Sequence, residues 1–158
     1  MDSVSRRLLK ELRDFDRESS THPEIVELSP VDDDDLLHWK AKLAGLKDTP
    51  YEGGVFDLSI QIPTTYPMQP PTIQFETTIC HPNIHFKTGE ICLDILKTAW
   101  SPAWTLKSTV LAISLLLTNP EPSSPLNCDA ANLLRCQDML GYENLIRMYT
   151  QLYAVTNK

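Results

Sequence analysis

Two segments of the chain alternate between apolar and polar residues, which is the pattern of β-strands with one buried face. Their apolar positions are Leu37, Trp39, Ala41 and Leu43 in the first segment and Phe56, Leu58, Ile60 and Ile62 in the second. A short strand over 25–28 precedes them, and another around Ile73 and Phe75 follows. Because successive strands are joined by short connections, the sequence predicts a four-stranded antiparallel meander; parallel strands would need longer crossovers.

Apolar residues at helical spacing lie on both sides of the strand region. The predicted helices are 4–17, capped by Ser3, then 106–117, 129–136 and 142–154. The helix 106–117 is apolar nearly all round, so it should be central. In the last helix, the residues expected to face the core are Tyr142, Leu145, Tyr149 and Leu152. This order, an N-terminal helix, a meander sheet, an irregular segment, a central helix and two C-terminal helices, predicts the α+β class in one domain, 1–158.

Composition and charge exclude several classes of protein. The net charge of −7 argues against general nucleic-acid binding, which requires a basic surface to displace counterions. The longest apolar stretch, 110–117, is far short of the roughly 20 residues that cross a bilayer, so no direct membrane insertion is expected. The N-terminus lacks the apolar core of a signal peptide. In an unsecreted chain, the cysteines are expected to be reduced thiols: Cys80, Cys92, Cys128 and Cys136.

The segment 77–101 follows neither the helical nor the strand period, although it is rich in apolar residues. Its centre, 80–96, reads Cys-His-Pro-Asn-Ile-His-Phe-Lys-Thr-Gly-Glu-Ile-Cys-Leu-Asp-Ile-Leu. The chain has 12 prolines against five glycines, which favours ordered, extended connections over flexible linkers. A long irregular stretch in an ordered domain is more often functional than accidental, so this segment is the candidate site.

Three kinds of site are compatible with these residue types. A zinc site would use Cys80, His81, His85 and Cys92. However, structural zinc sites normally contain spaced ligand pairs, whereas Cys80 and His81 are adjacent. A cysteine hydrolase would need His81 or His85 as the base for the thiol, which spacing alone does not establish. The third kind is a thiol that carries an acyl group, with Cys92 as nucleophile and leaving group and Asn83 as a donor to the oxyanion.

Motifs in this segment resemble the active-site stretch of ubiquitin-conjugating enzymes. They are His81-Pro82-Asn83, Ile91-Cys92-Leu93-Asp94-Ile95-Leu96 and Trp100-Ser101-Pro102-Ala103. Segments 6–12, 49–56 and 66–71 are similar to the family's first helix, its sheet and the proline turn after the sheet. Because the motifs occur in order over nearly the whole chain, the chain is identified as a member of that family.

The resemblance implies a thioester relay. Cys92 would accept the C-terminal glycyl group of ubiquitin from an activating enzyme and hold it for a nucleophile selected by a RING-type ligase. Asn83 would stabilise the oxyanion, support the loop, or do both. ATP is used by the activating enzyme, so no cofactor and no metal are expected here. The residues corresponding to the family's ligase- and activating-enzyme-binding surface are Arg6, Lys10, Met68, Pro102 and Ala103; Arg7 is also expected on or near the solvent side of the first helix.

The resemblance places the acceptor groove at Ser124 and Asp94. Many family members have an acidic pair before Pro-Leu, but this chain has Ser123-Ser124. A lysine acceptor, with an ordinary pKa of about 10.4, gains more from a nearby carboxylate than a cysteine acceptor, at about 8.5. The serines therefore favour an enzyme that tolerates a cysteine acceptor. The alternatives are that they form only a helix-entry turn, or that phosphorylation supplies the charge.

Together with 85–90 and 132–135, these features resemble the peroxisomal branch of the family. That branch attaches a single ubiquitin to a cysteine of the peroxisomal import receptor, which permits receptor recycling. It is held on the cytosolic face of the peroxisomal membrane by a membrane-anchored peroxin, which we expect to bind around 129–158. The alternatives are a general cytosolic or nuclear enzyme that modifies lysine, and an inactive scaffold variant; such variants lack the cysteine found here at Cys92.

Overall fold

The computed structural model describes residues 1–156, so the last two residues of the predicted domain and of the expected anchor-binding segment lie outside it. Its helices are α1 (Ser3–Glu18), α2 (Leu106–Thr118), α3 (Cys128–Arg135) and α4 (Met139–Tyr153). Its strands are β1 (Ile25–Asp32), β2 (Asp35–Ala44), β3 (Val55–Gln61) and β4 (Thr72–Phe75). Short 3-10 helices occupy Ser19–Thr21 and Asp94–Leu96. The predicted α+β class and order of elements are confirmed.

The four strands form one antiparallel meander in the order β1-β2-β3-β4. Leu58 at the centre pairs with Ala41 on one side and Phe75 on the other, and all three are buried. β1 is longer than the predicted 25–28, because its backbone continues to pair with β2 beyond the end of the apolar alternation. The apolar face of the sheet therefore forms one wall of the core.

The core is completed by the helices that pack against this face. In α2, Val110 and Ile113 are fully buried, which confirms the predicted central position of this helix. Thr105 caps α2 by accepting the N–H of Ser108 at 3.1 Å, and Ser108 returns a bond to the N–H of Thr105 at 2.9 Å. Within residues 1–156, no helix combines the length and the hydropathy that a membrane span requires.

Two local expectations were wrong. The N-cap of α1 is Asp2 and not Ser3: the Asp2 carboxylate accepts the N–H of Ser5 at 2.7 Å, so the helix begins at Ser3 itself. Leu152 is 63% exposed. It lies ten positions after Tyr142, and a helix turning about 100° per residue places the two side chains about 80° apart. The buried stripe of α4 is instead Tyr142, Ile146 and Thr150.

Candidate active site

The predicted nucleophile, Cys92, is partly exposed in the irregular segment, just before the 3-10 helix Asp94–Leu96. Its backbone N–H donates to the carbonyl of Asn83 at 2.8 Å. Cys80, by contrast, is 2% exposed, and burial raises the pKa of its thiol to about 11. The exposed Cys128 begins α3, and the exposed Cys136 ends it. Of the two cysteines within the motif-bearing segment, only Cys92 is accessible to solvent.

A tight turn around Gly89 brings Cys92 to this position. Gly89 has φ +73°, and its carbonyl accepts the N–H of Phe75 at 3.0 Å. A Cβ atom at Gly89 would lie 1.9 Å from the carbonyl oxygen of Phe75, so only glycine fits. The returning chain bridges Ile91 to Ile84 and therefore places Cys92 beside Asn83.

The side-chain amide of Asn83 is fully engaged in hydrogen bonds. Its Nδ2 donates to the carbonyl oxygens of Glu121 at 2.7 Å and of Ser124 at 3.1 Å. Its Oδ1 accepts the N–H of Glu121 at 2.7 Å, and the residue is 1% exposed. Since an amide nitrogen has two hydrogens, both donors are already in use. The arrangement favours support of the loop 121–124, and an oxyanion role requires one N–H to change partner.

His81 and His85 are both turned towards the backbone rather than towards Cys92. His81 is fully buried, and burial lowers the pKa of its ring to about 4. Its Nδ1 accepts the N–H of Asn83 at 2.9 Å and its Nε2 lies 2.8 Å from the carbonyl of Leu116, which assigns the proton to Nε2. His85 Nδ1 accepts the backbone N–H groups of residues 87 and 88. Neither ring is placed as the base of a cysteine hydrolase.

The same bonds weigh against the zinc interpretation. Both ring nitrogens of His81 have partners within the protein, and Cys80 is a buried thiol beside the amide of Asn127, at 3.9 Å. Across residues 1–156, no three His, Cys, Asp or Glu side chains converge where a metal ion could be held.

The predicted acceptor-groove residues are both exposed, and they reach the site differently. Ser124 is tied to Asn83 through its carbonyl oxygen, whereas Asp94 follows Cys92 along the chain and accepts the N–H groups of Lys97 and Ala99 on its own carbonyl. The motifs did not single out Glu121, although both its N–H and its carbonyl are bonded to the side chain of Asn83. The sequence signal that could have identified Glu121 is its position between two prolines in an ordered connection.

The five residues predicted to bind the ligase and the activating enzyme are all exposed, and Met68 is 74% exposed. They are Arg6, Lys10, Met68, Pro102 and Ala103. We call them the partner surface. They belong to three segments: α1, the proline turn 66–71 and the loop 100–104.

Arg7, expected on or near the solvent side of α1, has a side chain that is 29% exposed, and it joins two of these segments. Its Nη2 donates to the carbonyls of Pro102 at 3.0 Å and Trp104 at 2.9 Å. The third segment is attached by Trp100, whose indole N–H donates to the carbonyl of Pro67 at 2.8 Å. The structure therefore brings the partner surface together as one patch.

Glu11, 8% exposed at its side chain, lies beneath this patch. Its Oε1 accepts from Arg7 Nε at 2.7 Å and from the Tyr66 hydroxyl at 2.7 Å. Its Oε2 accepts the N–H of Leu106 at 2.9 Å, at the N-terminus of α2 where a negative charge is stabilised. One carboxylate thus connects α1, the proline turn and α2.

Comparison with protein families identifies residues 7–150 as matching the model of the ubiquitin-conjugating enzyme family. The protein PEROXIN-4 of Arabidopsis thaliana is 51% identical over 158 residues, covering 100% of this chain and 99% of that protein. The ubiquitin-conjugating enzyme E2 pex4 of Dictyostelium discoideum is 54% identical over 151 residues, covering 96% of this chain and 99% of that protein.

A solved structure gives the same relationship. The ubiquitin-conjugating enzyme Pex4p of H. polymorpha, crystallised in complex with the soluble domain of Pex22p, superposes with a TM-score of 0.92 at 41% identity. The match covers 98% of this chain and 100% of that one. The likeness therefore extends over the whole fold and includes the segment around Cys92.

Proposed function

The chain belongs to the ubiquitin-conjugating enzyme family and is a transferase of the ubiquitin pathway, and we propose that Cys92 is the residue that carries ubiquitin. The observation that carries this assignment is that Cys92 is the accessible cysteine beside Asn83. Cys92 is partly exposed and its backbone N–H donates to Asn83, whereas Cys80 is buried with a raised pKa, and the exposed Cys128 and Cys136 lie at the ends of α3, outside the motif segment. A thioester needs an accessible sulfur that serves first as nucleophile and then as leaving group.

The proposed reaction has two exchanges at Cys92. In the first, its thiolate attacks the thioester carbonyl on the activating enzyme, a new C–S bond forms and the activating enzyme's thiolate leaves. In the second, an acceptor amine or thiol attacks the same carbonyl and the Cys92 thiolate leaves. Activating enzyme and ligase are the partners expected from the family, and the chemistry requires no cofactor on this chain.

The assignment is tested by charging with activating enzyme, ubiquitin and ATP. The wild type should give a ubiquitin adduct that a thiol reductant removes. Cys92→Ser should give an ester that resists the reductant, because an alkoxide is a poorer leaving group than a thiolate. The matched variants Cys80→Ser, Cys128→Ser and Cys136→Ser should all charge. If one of these abolishes charging while the protein stays folded, Cys92 is not the carrier.

We further infer that the enzyme works on the cytosolic face of the peroxisomal membrane and ubiquitinates a cysteine of the import receptor, permitting its recycling. Support comes from the full-length identity to proteins named peroxin-4 and pex4. A general cytosolic or nuclear enzyme directed at lysine is the alternative. Discharge to a receptor peptide containing one cysteine, compared with the Cys→Lys peptide, distinguishes them: a cysteine preference supports the receptor role, and a lysine preference favours the general enzyme. Charging of the wild type would also exclude the inactive scaffold.

A membrane-anchored peroxin is the proposed tether, bound at α3 and α4. The relative from H. polymorpha was crystallised with the soluble domain of Pex22p. In this chain, α4 exposes several large apolar side chains: Met139, Leu140, Met148, Leu152 and Tyr153. Exposed apolar side chains of this size are suited to contact with another protein. Leu140→Glu should abolish binding of the tether and leave charging intact, and Leu115→Glu on the exposed side of α2 is the matched control. Mutual exclusion of tether and activating enzyme would place the tether on α1 instead.

A further inference from the structure

The loop 121–124 carries a carboxylate beside the predicted acceptor groove, in which residue 94 is an aspartate and residue 124 is a serine. The Oε1 atom of Glu121 accepts from the Ser123 hydroxyl at 2.5 Å and from the Ser123 N–H at 3.1 Å. These bonds turn the side chain of Glu121 along its own loop and hold its carboxylate against Ser123. Glu121 and Ser123 are both exposed, so an incoming acceptor can reach the carboxylate.

This loop lies beside the predicted thioester. Asn83 binds both the N–H and the carbonyl of Glu121, and the carbonyl of Asn83 accepts the N–H of Cys92 at 2.8 Å. Glu121 and Cys92 are therefore both direct hydrogen-bond neighbours of the same residue. The chain that follows the loop is also bonded to the segment around Asn83: the carbonyl of Pro82 accepts the N–H groups of Leu126 and Asn127.

The charge of Glu121 is free to act on an acceptor. Within residues 1–156, the ion pairs do not include it. Arg135 reaches the same loop but donates to the carbonyl of Pro122 at 2.7 Å and to the side chain of Asn132. The hydroxyl and N–H of Ser123 lower the pKa of the Glu121 carboxyl, which is therefore ionised at neutral pH.

We propose that Glu121 is an acceptor-facing carboxylate of this enzyme, in addition to Asp94, and that Ser123 holds it in position. The proposal rests on the thioester being carried by Cys92. Glu121 would supply the carboxylate that an acidic residue at position 124 would otherwise provide to a lysine acceptor. The proposal therefore predicts that the enzyme can transfer ubiquitin to amines as well as to thiols.

The step at Glu121 conserves charge and atoms. The carboxylate attracts the lysine ammonium and accepts one of its protons, which leaves a neutral amine as the nucleophile. The amine attacks the thioester carbonyl, a C–N bond forms, and the C–S bond breaks as the Cys92 thiolate leaves. The nitrogen releases its second proton to that thiolate, and the proton on Glu121 passes to solvent. A cysteine acceptor loses its proton more readily, so it gains less from the carboxylate.

The experiment compares discharge of the charged enzyme to free lysine and to free cysteine. Glu121→Gln should charge as the wild type does, because Asn83 binds only the backbone of residue 121. Its discharge to lysine should fall about fivefold, a modest factor because the carboxylate is exposed to solvent, and its discharge to cysteine should change less than about twofold. Glu143→Gln changes a partly exposed glutamate on α4; it is the control and should leave both rates unchanged.

Two more variants separate charge from loop structure. Ser123→Ala keeps the carboxylate but removes its hydroxyl donor, so it should lower the lysine rate less than Glu121→Gln does. Adding Ser124→Asp to Glu121→Gln should restore the lysine rate, because it returns a negative charge to the groove. Failure of this rescue would show that residue 121 acts through loop structure and would overturn the proposal.

The outcomes for Glu121 and Cys92 are distinguishable. A wild type that forms no thioester would overturn the Cys92 assignment, and this proposal with it. Normal charging of Glu121→Gln with unchanged discharge to lysine, or with equal losses on both acceptors, would overturn this proposal and leave Cys92 as the carrier.

Discussion

Arg7 and Glu11, one turn apart on α1, form an ion pair that holds the loop 100–104 against the helix. The Nε atom of Arg7 donates to Glu11, and its Nη2 donates to the carbonyls of Pro102 and Trp104. The guanidinium also lies 5.8 Å from the centre of the Tyr66 ring. A planar group with several fixed donors can make these bonds together, whereas an ammonium cannot.

Arg7→Lys should therefore lower the free energy of unfolding by about 1–2 kcal/mol, since bonds from a partly buried charged donor are lost. The matched control is Arg147→Lys in the exposed Glu143–Arg147 pair, which should cost less than about 0.5 kcal/mol. Urea denaturation measures both. We also expect the KM for charging to rise in Arg7→Lys, while discharge of the thioester to free cysteine is unchanged. An equal effect of the two variants would show that Arg7 does not organise the loop.

Asn83→Ala should destabilise the loop 121–124, because it removes three hydrogen bonds at a buried position. We expect the free energy of unfolding to fall by about 2–3 kcal/mol. Hydrogen exchange at the N–H of Glu121 should accelerate, because Asn83 Oδ1 is its acceptor. Charging should be largely retained and discharge to an amine slowed. If discharge slows while exchange at Glu121 stays protected, the oxyanion role is favoured over loop support.

Gly89→Ala should be strongly destabilising, by about 3 kcal/mol or more, because the added Cβ would lie 1.9 Å from the carbonyl oxygen of Phe75. Gly53 also has a positive φ, +84°, but a Cβ atom added there would meet no other atom within 4 Å, so Gly53→Ala isolates the backbone cost at about 1 kcal/mol. Thermal and urea unfolding of the two variants give the comparison. Similar losses in both would mean that contact with β4 is not what fixes the turn.

Stability should fall as pH is lowered through the range set by His81. Burial holds the pKa of His81 at about 4 in the folded state, against an ordinary value of 6.5. Between these values the unfolded chain binds a proton that the folded chain does not, so acid favours unfolding. The loss from this group between pH 7 and pH 5 should be about 2 kcal/mol. The His81 ring signals should show no protonation by NMR above about pH 5; titration near 6.5 would contradict the burial argument.

The sheet was predictable because apolar and polar residues alternate along the strands, and this pattern is visible within each strand's own sequence. The central position of α2 was predictable in the same way from its apolar residues, although Leu115 on its outer side is exposed. The bonds that shape the site have no such local signal. Asn83 finds its partners at Glu121 and Ser124, far along the chain, and these partners are backbone groups that any residue could supply. The motif identified Asn83, but its saturated amide required the fold.

The bonds of Arg7 to the loop 100–104 and the exposure of Leu152 were missed for a related reason. Helical spacing gives the direction of a side chain about the helix axis, but it does not show which other segment covers that direction. The loop 100–104 approaches α1 on the side of Arg7, and α4 presents Leu152 past the edge of the core. Both outcomes depend on contacts between distant segments, which a period within one helix does not encode.

The partner surface is a single patch, because the side chains of Glu11, Arg7 and Trp100 hold its three segments together. Two proteins that contact the same five residues cannot bind at the same time. On the proposed assignment, loading by the activating enzyme and unloading by the ligase must therefore alternate, and the charged enzyme has to leave the first partner before it meets the second. The overall rate of ubiquitin transfer then depends on the exchange of partners as well as on the chemistry at the thiol. Excess uncharged enzyme would compete with charged enzyme for binding to the ligase.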